Sequence, residues 1–262
     1  MMLFGKTIVV TGISSGIGAR VGELGLALGA DVIGLDINPP PTPLGAFVKA
    51  DIGDPASAAA IVRQLPARFD ALVNVAGVSG VSGAAKTLAI NFYGLRALTE
   101  ALASQIREGG AVVNIASIAG YGWRANLQRA KAMISPAGFP DIAALIAEHG
   151  VADVEGYPLS KELLLLWTQR AAHQPLFRSR GVRVNAVSPG PVTTPILKEF
   201  RTVFGDPRVD EDIERVGRAG SAPDIAPPAL FLCSDGARWI NGANLPVDGG
   251  LEASINATVL GF

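Results

Sequence analysis

One cysteine, Cys233, and two histidines, His149 and His173, are all that this 262-residue chain holds of the thiol and imidazole ligands. A lone cysteine excludes an internal disulfide framework and a Cys-based metal site, and two histidines argue against a His-rich one. Aromatic residues make up only 6%, so a core must be built from Ala, Val, Leu and Ile. No excess of charge exists either: 22 Lys and Arg stand against 23 Asp and Glu, for a net charge of -1. That balance leaves no electrostatic footprint for nucleic acid or an anionic membrane. No apolar run reaches the ~18 residues that span a bilayer. The opening MMLFGKTIVVTG loses its apolar character at Thr11-Gly12 and has no leader-cleavage pattern. These absences predict a soluble, cytoplasmic protein without a metal.

What is present is apolar and periodic. Hydrophobic residues are 49% of the chain. Short Val/Ile/Ala runs at 6–11, 30–36, 46–51, 70–77, 111–117, 182–188 and 244–250 read as strands, the early ones continuously apolar as central parallel strands are. Between them lie segments with helical spacing, such as GARVGELGLALG and TLAINFYGLRALTEALASQI. No interior linker, repeat or low-complexity segment stands out. The pattern predicts one α/β domain over 1–262: a Rossmann-type doubly wound parallel sheet of about seven strands with helices on both faces.

The first strand runs into TGISSGIG, residues 11–18. Gly12, Gly16 and Gly18 permit a tight turn, close backbone approach to a pyrophosphate, and close helix–strand packing. The helix that follows presents unpaired N–H groups and a partial positive charge. A Gly-rich turn alone is weak, but one that follows a strand and opens a helix is a dinucleotide fingerprint. Asp36 lies eighteen residues beyond Gly18. A carboxylate there accepts hydrogen bonds from a ribose diol and repels a 2′-phosphate. The neighbouring Ser15 and Ile37 bring no cation, so NAD is favoured over NADP.

In EGYPLSKELLLLW, Tyr157 and Lys161 lie four residues apart and share one helix face, with Pro158 in the first turn. An ammonium beside a phenol is expected to lower its pKa from about 10. A Tyr so tuned serves as general base toward an alcohol or general acid toward a ketone.

Together TGISSGIG, Asp36, NVAG at 74–77 and YPLSK resemble the short-chain dehydrogenase/reductase family over nearly the whole chain. The resemblance implies four catalytic residues. Tyr157 takes the hydroxyl proton, Lys161 lowers the Tyr pKa and holds the nicotinamide ribose, Ser117 hydrogen-bonds the substrate oxygen, and Asn91 with a water links Lys161 to solvent. It implies an NAD site made of Gly12, Ser14, Ser15, Gly16, Ile17, Gly18, Asp36, Ile37, Asp51, Ile52, Asn74, Ala76, Gly77, Tyr157, Lys161, Pro189, Gly190, Val192 and Thr194. Asp51 would meet the adenine amino group, and SPGPVTTP would cover the carboxamide. Read singly, Asn91 could serve a helix irregularity, Ser117 a helix cap, and Asp51 a turn.

The chain departs from the family where forty residues separate Ser117 from Tyr157. The extra segment, about 121–156, holds two helix-like stretches and is expected to act as a lid or subunit contact, so a homo-oligomer, dimer or tetramer, is expected. Tyr121 and Trp123 either floor a substrate pocket or pack the insertion. Arg124, Arg129 and Lys131 read as a solvated face. The stretch 191–218 is expected to be a mobile substrate loop. Pro227 and Pro228 should kink or delay the helix near 223. The long insertion and RWINGANLPVDGG resemble a subset that acts on isopiperitenol, coniferyl alcohol or 3α-hydroxysteroids. The resemblance implies NAD-dependent oxidation of a hydrophobic cyclic or allylic alcohol, such as a monoterpenol or coniferyl-type alcohol, to the ketone or aldehyde. A steroid dehydrogenase/carbonyl reductase is the alternative, and a non-catalytic NAD-binding regulator an alternative of another class.

Overall fold

The computed structural model describes residues 3–262; Met1 and Met2, the start of the expected 1–262 domain, lie outside them. In chain order the elements are β1 (Thr7–Thr11), α1 (Gly16–Ala27), β2 (Asp31–Asp36), β3 (Ala46–Lys49), α2 (Ser57–Gln64), β4 (Phe69–Asn74), α3 (Ala84–Leu88), a π-helical turn (Ala89–Gly94), α4 (Leu95–Leu102) and β5 (Ile106–Ile115). A 3-10 turn (Ile118–Arg124) leads to α5 (Leu127–Ile134), α6 (Ile142–His149), α7 (Gly156–Ala171), α8 (Pro175–Arg178), β6 (Arg183–Pro189) and β7 (Val192–Thr193). The chain finishes with α9 (Leu197–Phe204), α10 (Asp206–Val216), β8 (Gly220–Ser221), α11 (Ala222–Cys233), β9 (Asn244–Val247) and α12 (Leu251–Leu260).

Seven strands form one sheet in the order β3-β2-β1-β4-β5-β6-β9, every pair parallel. All seven expected strands are present. Their near-continuous apolar character follows from burial on both faces. Val9, Leu72 and Val112 point into one core with Leu95, Leu98, Leu163 and Trp167 of α4 and α7. Ile8, Val10, Val73 and Val113 point into the other with Val21 of α1 and Ile225 and Leu230 of α11. Successive side chains of a strand face opposite ways, so each strand feeds both cores.

Two local expectations are corrected. The segment 87–106 is not one helix: i→i+5 bonding interrupts it at Ala89–Gly94, and Ile106 already starts β5 opposite Phe69. The α11 helix is not delayed by its prolines; it starts at Ala222, before Pro227 and Pro228, and runs through both. Its start is fixed by Ser221, whose N–H and Oγ both bond Asp224 Oδ2 at 2.7 Å. His173 lies two residues past the end of α7. No helix among the described residues is long and apolar enough to cross a membrane.

The insertion forms α5 and α6, both held to the body. The buried Arg96 guanidinium of α4 donates to the carbonyls of Ile134, Pro136 and Gly138. Tyr93 Oη donates to Met133 O. Arg129 pairs with Glu155 at 3.1 Å, while exposed Arg124 stacks on Trp123. The segment 194–219 is a separate excursion whose ends are pinned where β7 pairs with β8, Val192 opposite Gly220.

Candidate active site

The C-terminal ends of parallel strands gather the loops of the site. At the end of β1, Gly12 has φ +73, and a Cβ there would meet Ala76 N at 2.8 Å. Thr11 Oγ1 accepts from the N–H groups of Val75 and Ala76, each at 3.0 Å, so the Gly-rich turn and the NVAG loop are sutured together. A Cβ on Gly18 would lie 2.0 Å from Gly12 O; α1 starts against the turn with no room for a side chain. The first helical bond of α1 is Ala19 N–H to Ser15 O, and Ser15 makes no side-chain cap bond. The N–H groups of Gly16, Ile17 and Gly18 therefore remain for an anion.

Asp36 ends β2 beside this turn. Its Oδ2 accepts from Ser14 N and Ser14 Oγ at 3.0 and 2.6 Å, and Oδ1 accepts from Asn38 N at 3.2 Å. A carboxylate has about four acceptor sites, so one is left for a ribose hydroxyl. Half-exposed Ile37 and buried Ile52 are apolar groups at the ends of β2 and after β3. Asp51 is exposed and accepts from Gly53 N, in a turn. Thr194 sits over Gly16, whose Cβ position is 3.3 Å from Thr194 Cγ2. The cradle, orphan donors and free acceptor fit a dinucleotide.

Asn74 is the exception within the expected cofactor set. Its side chain is turned into the core, where Nδ2 donates to Thr99 Oγ1 and Asn114 Oδ1, both at 2.9 Å. Asn114 in turn donates to Thr168 Oγ1 of α7. Asn74 can thus serve a ligand only through its backbone.

Ser117, Tyr157 and Lys161 meet at the end of β5. Ser117 caps the 3-10 turn by accepting from Ala119 N and also borders the cavity with Tyr157, so cap and site coincide. Lys161 Nζ donates to Ile115 O at 2.9 Å and lies 5.6 Å from the Tyr157 ring centroid. Asn91 sits in the π-helical turn. Its Nδ2 donates to Val78 O and Ser160 Oγ, and its Oδ1 accepts from Val78 N. Both amide protons are taken.

The expected pKa of Tyr157 is reversed. Burial pushes the phenol up to about 12, against a smaller lowering by the Ser117 hydrogen bond. Burial also pulls Lys161 from 10.5 down to about 8. The cause lies in the 191–218 stretch: Phe200 and Phe204 of α9 pack on the Tyr157 ring at 4.7 and 6.0 Å. Desolvation outweighs the nearby ammonium. Glu199, on the same helix, accepts from buried Ser79 Oγ and fastens α9 to the loop after β4.

Beside Tyr157 lies a cavity of about 480 Å³ walled by Ile118, Ala119, Tyr121, Pro158, Leu197, Phe200, Phe204, Val209 and Ile255, with Arg208 and Asp212 also on its lining. Tyr121 therefore lines a pocket, whereas Trp123 packs against the core. Phe200, Phe204 and α12 Ile255 were not singled out by sequence; the mixed apolar and charged pattern of 196–218 carried the only signal.

Two family models match the chain: short chain dehydrogenase over residues 6–128, and enoyl-(acyl carrier protein) reductase over residues 141–252. A coniferyl-alcohol dehydrogenase of Pseudomonas sp. (strain HR199 / DSM 7063) is 43% identical over 254 residues, covering 97% of this chain and 99% of that protein. The crystal structure of 3-alpha-hydroxysteroid dehydrogenase from Pseudomonas sp. B-0831 complexed with NADH is 32% identical, with TM-score 0.80 and coverage of 96% and 98%. A putative 2-deoxy-D-gluconate 3-dehydrogenase from Agrobacterium tumefaciens with bound NADP is 26% identical, with TM-score 0.74 and coverage of 96% and 98%.

Proposed function

The chain belongs to the short-chain dehydrogenase/reductase family, an oxidoreductase family acting on CH–OH groups with a nicotinamide dinucleotide, and on that premise we propose that it oxidises a hydrophobic cyclic or allylic alcohol with NAD. A coniferyl-type alcohol or a monoterpenol is the substrate class. The observation that carries the reading is the placement of Ser117, Tyr157 and Lys161 against an apolar cavity of about 480 Å³, next to a Gly-rich turn with unpaired N–H groups. Asp36, with neutral partners and one free acceptor site, supports NAD over NADP.

NAD, when bound, supplies the hydride acceptor. The N–H groups of Gly16, Ile17 and Gly18 hold its pyrophosphate, Asp36 a ribose diol, and Lys161 the other ribose. Ser117 Oγ hydrogen-bonds the substrate oxygen, and Tyr157 Oη takes its proton. The π-helical turn at Asn91 positions a water between Lys161 and solvent. Phe200 and Phe204 pack on the Tyr157 ring, so α9 acts as the lid that lifts to admit substrate. Residues 1–262 work as one catalytic unit, in the cytoplasm, and α5 and α6 shape the contact within a homo-oligomer. A 3α-hydroxysteroid is the second reading, favoured by the likeness to the NADH-bound steroid enzyme.

The test is absorbance at 340 nm with purified protein, NAD, and isopiperitenol, perillyl alcohol, coniferyl alcohol, androsterone or cyclohexanol. Turnover with the allylic or terpene alcohols is expected. Turnover confined to androsterone would move the protein to the second reading, and silence with all five would overturn both.

A further inference from the structure

Helix α10 carries acidic residues that differ sharply in what they face. Asp206 and Asp210 both pair with Arg201, at 3.0 and 2.7 Å. Glu211 accepts a hydrogen bond from Arg215 at 2.9 Å in an open i,i+4 pair. Asp212 is the odd member. Its side chain is only 16% exposed, while that of its i,i+4 neighbour Arg208 is 61% exposed. The carboxylate is tucked beneath and the guanidinium lies toward water. Their closest approach, from Arg208 Nε to Asp212 Oδ2, is 3.4 Å, and no hydrogen-bond donor to Asp212 is found among the described residues.

Asp212 is also the one acid on the lining of the cavity that Tyr157 and Ser117 share with Phe200, Phe204 and Ile255. Paired with Arg208 at 3.4 Å but without a hydrogen bond, the carboxylate has free acceptor sites, and covering them without supplying a donor is costly. A bound hydroxyl would satisfy them; a ligand lacking one would seal the carboxylate from water and leave it without a hydrogen-bond donor. Sites built this way discriminate strongly between a hydroxylated compound and its deoxy analogue.

We propose that Asp212 accepts a hydrogen bond from a second hydroxyl of the substrate, phenolic or alcoholic, remote from the alcohol that is oxidised. This rests on the reading of the cavity as the site of a hydrophobic alcohol. It narrows the substrate from any apolar alcohol to one with a donor at its other end, and makes Asp212 a specificity residue.

The test compares coniferyl alcohol with 3-methoxycinnamyl alcohol, the same skeleton without the ring hydroxyl. The native protein is expected to favour coniferyl alcohol in kcat/KM by about 10- to 100-fold, mostly through KM. Asp212→Leu should erase that ratio by weakening coniferyl alcohol alone, and Asp212→Asn, which keeps an acceptor oxygen, should retain most of it. Equal losses with both alcohols, or a native ratio near one, would overturn the proposal and leave the alcohol dehydrogenase reading intact. If neither alcohol is oxidised, that reading falls for this class. Calorimetric binding of isoeugenol, which has the ring hydroxyl but no oxidisable alcohol, then decides Asp212 by itself. A loss of tenfold or more in Asp212→Leu supports it, and unchanged affinity refutes it.

Discussion

Replacing Lys161 by Met should make the protein more stable and inactive. The ammonium is 5% exposed, and burial draws its pKa from 10.5 to about 8. At about 1.4 kcal/mol per unit, that difference corresponds to about 3 kcal/mol of destabilisation at neutral pH. Met keeps the length and apolar stem of Lys. It loses the bond to Ile115 O, and an unpaired carbonyl costs about 1 kcal/mol. The net gain is about 2 kcal/mol, or a rise in Tm of about 4–8 °C. The pH dependence separates this cause from generic repacking. An unfolded lysine keeps its proton up to pH 10.5, whereas the folded one releases it above about 8. In that window the unfolded chain binds more protons, so native stability climbs with pH. The variant lacks this climb, so the two curves meet at about pH 9.5 and cross above it. Thermal unfolding of the cofactor-free protein at pH 7 and 9.5 measures both. An unchanged or lower Tm at pH 7, or two parallel pH curves, would refute the reasoning.

Asp36→Ala should weaken NAD about tenfold, by loss of a charged acceptor, while NADP is spared a repulsion; an unaltered ratio of the two Kd values would refute the cofactor assignment. Tyr157→Phe should lower kcat by about 10²–10⁴ and leave the Kd for NAD within twofold, and substantial residual turnover would sink the acid–base role. Arg96→Met removes the donor to three insertion carbonyls. Amide exchange over 127–149 should then quicken while that of β4 and β5 stays slow; unchanged protection of α5 would show that Arg96 does not hold the insertion.

Much of this was legible from residue order because parallel strands and a nucleotide turn leave local signatures. KTIVVT, ADVIGLD and VRVNAVS carry apolar residues on both faces because both faces of the sheet are covered. Gly12 and Gly18 stand where backbone meets backbone, a demand that sequence states directly. Tyr157 and Lys161 share a face by helix geometry alone. What stayed hidden depends on objects distant in sequence. The direction of Asn74 is set by Thr99 and Asn114, on other elements. The pKa of Tyr157 follows from what covers the ring, and the covering residue, Phe200, lies 43 positions away. The break in helical hydrogen bonding at Asn91 has no compositional mark. Pro227 and Pro228 promised disruption, yet Ser221 and Asp224 set the start of α11 upstream of both.

The strand order has a bearing on biosynthesis. Each strand pairs with one already made: β2 on β1, β3 on β2, β4 on β1, β5 on β4, β6 on β5, β9 on β6. Within the seven-stranded sheet no strand has to be wedged between two existing neighbours, and every strand after β1 finds a partner already made. Growth proceeds outward from β1, first to one side and then steadily to the other, as suits a chain that emerges N-terminus first. The two halves of the site ripen in turn. The proposed cradle for the adenosine end, Gly12 through Gly77, belongs to β1–β4 and the loops after them. Ser117, Tyr157 and the α9 cover arrive only with the strands that follow. The proposed nucleotide cleft can therefore form on a nascent chain well before the proposed catalytic residues are in place.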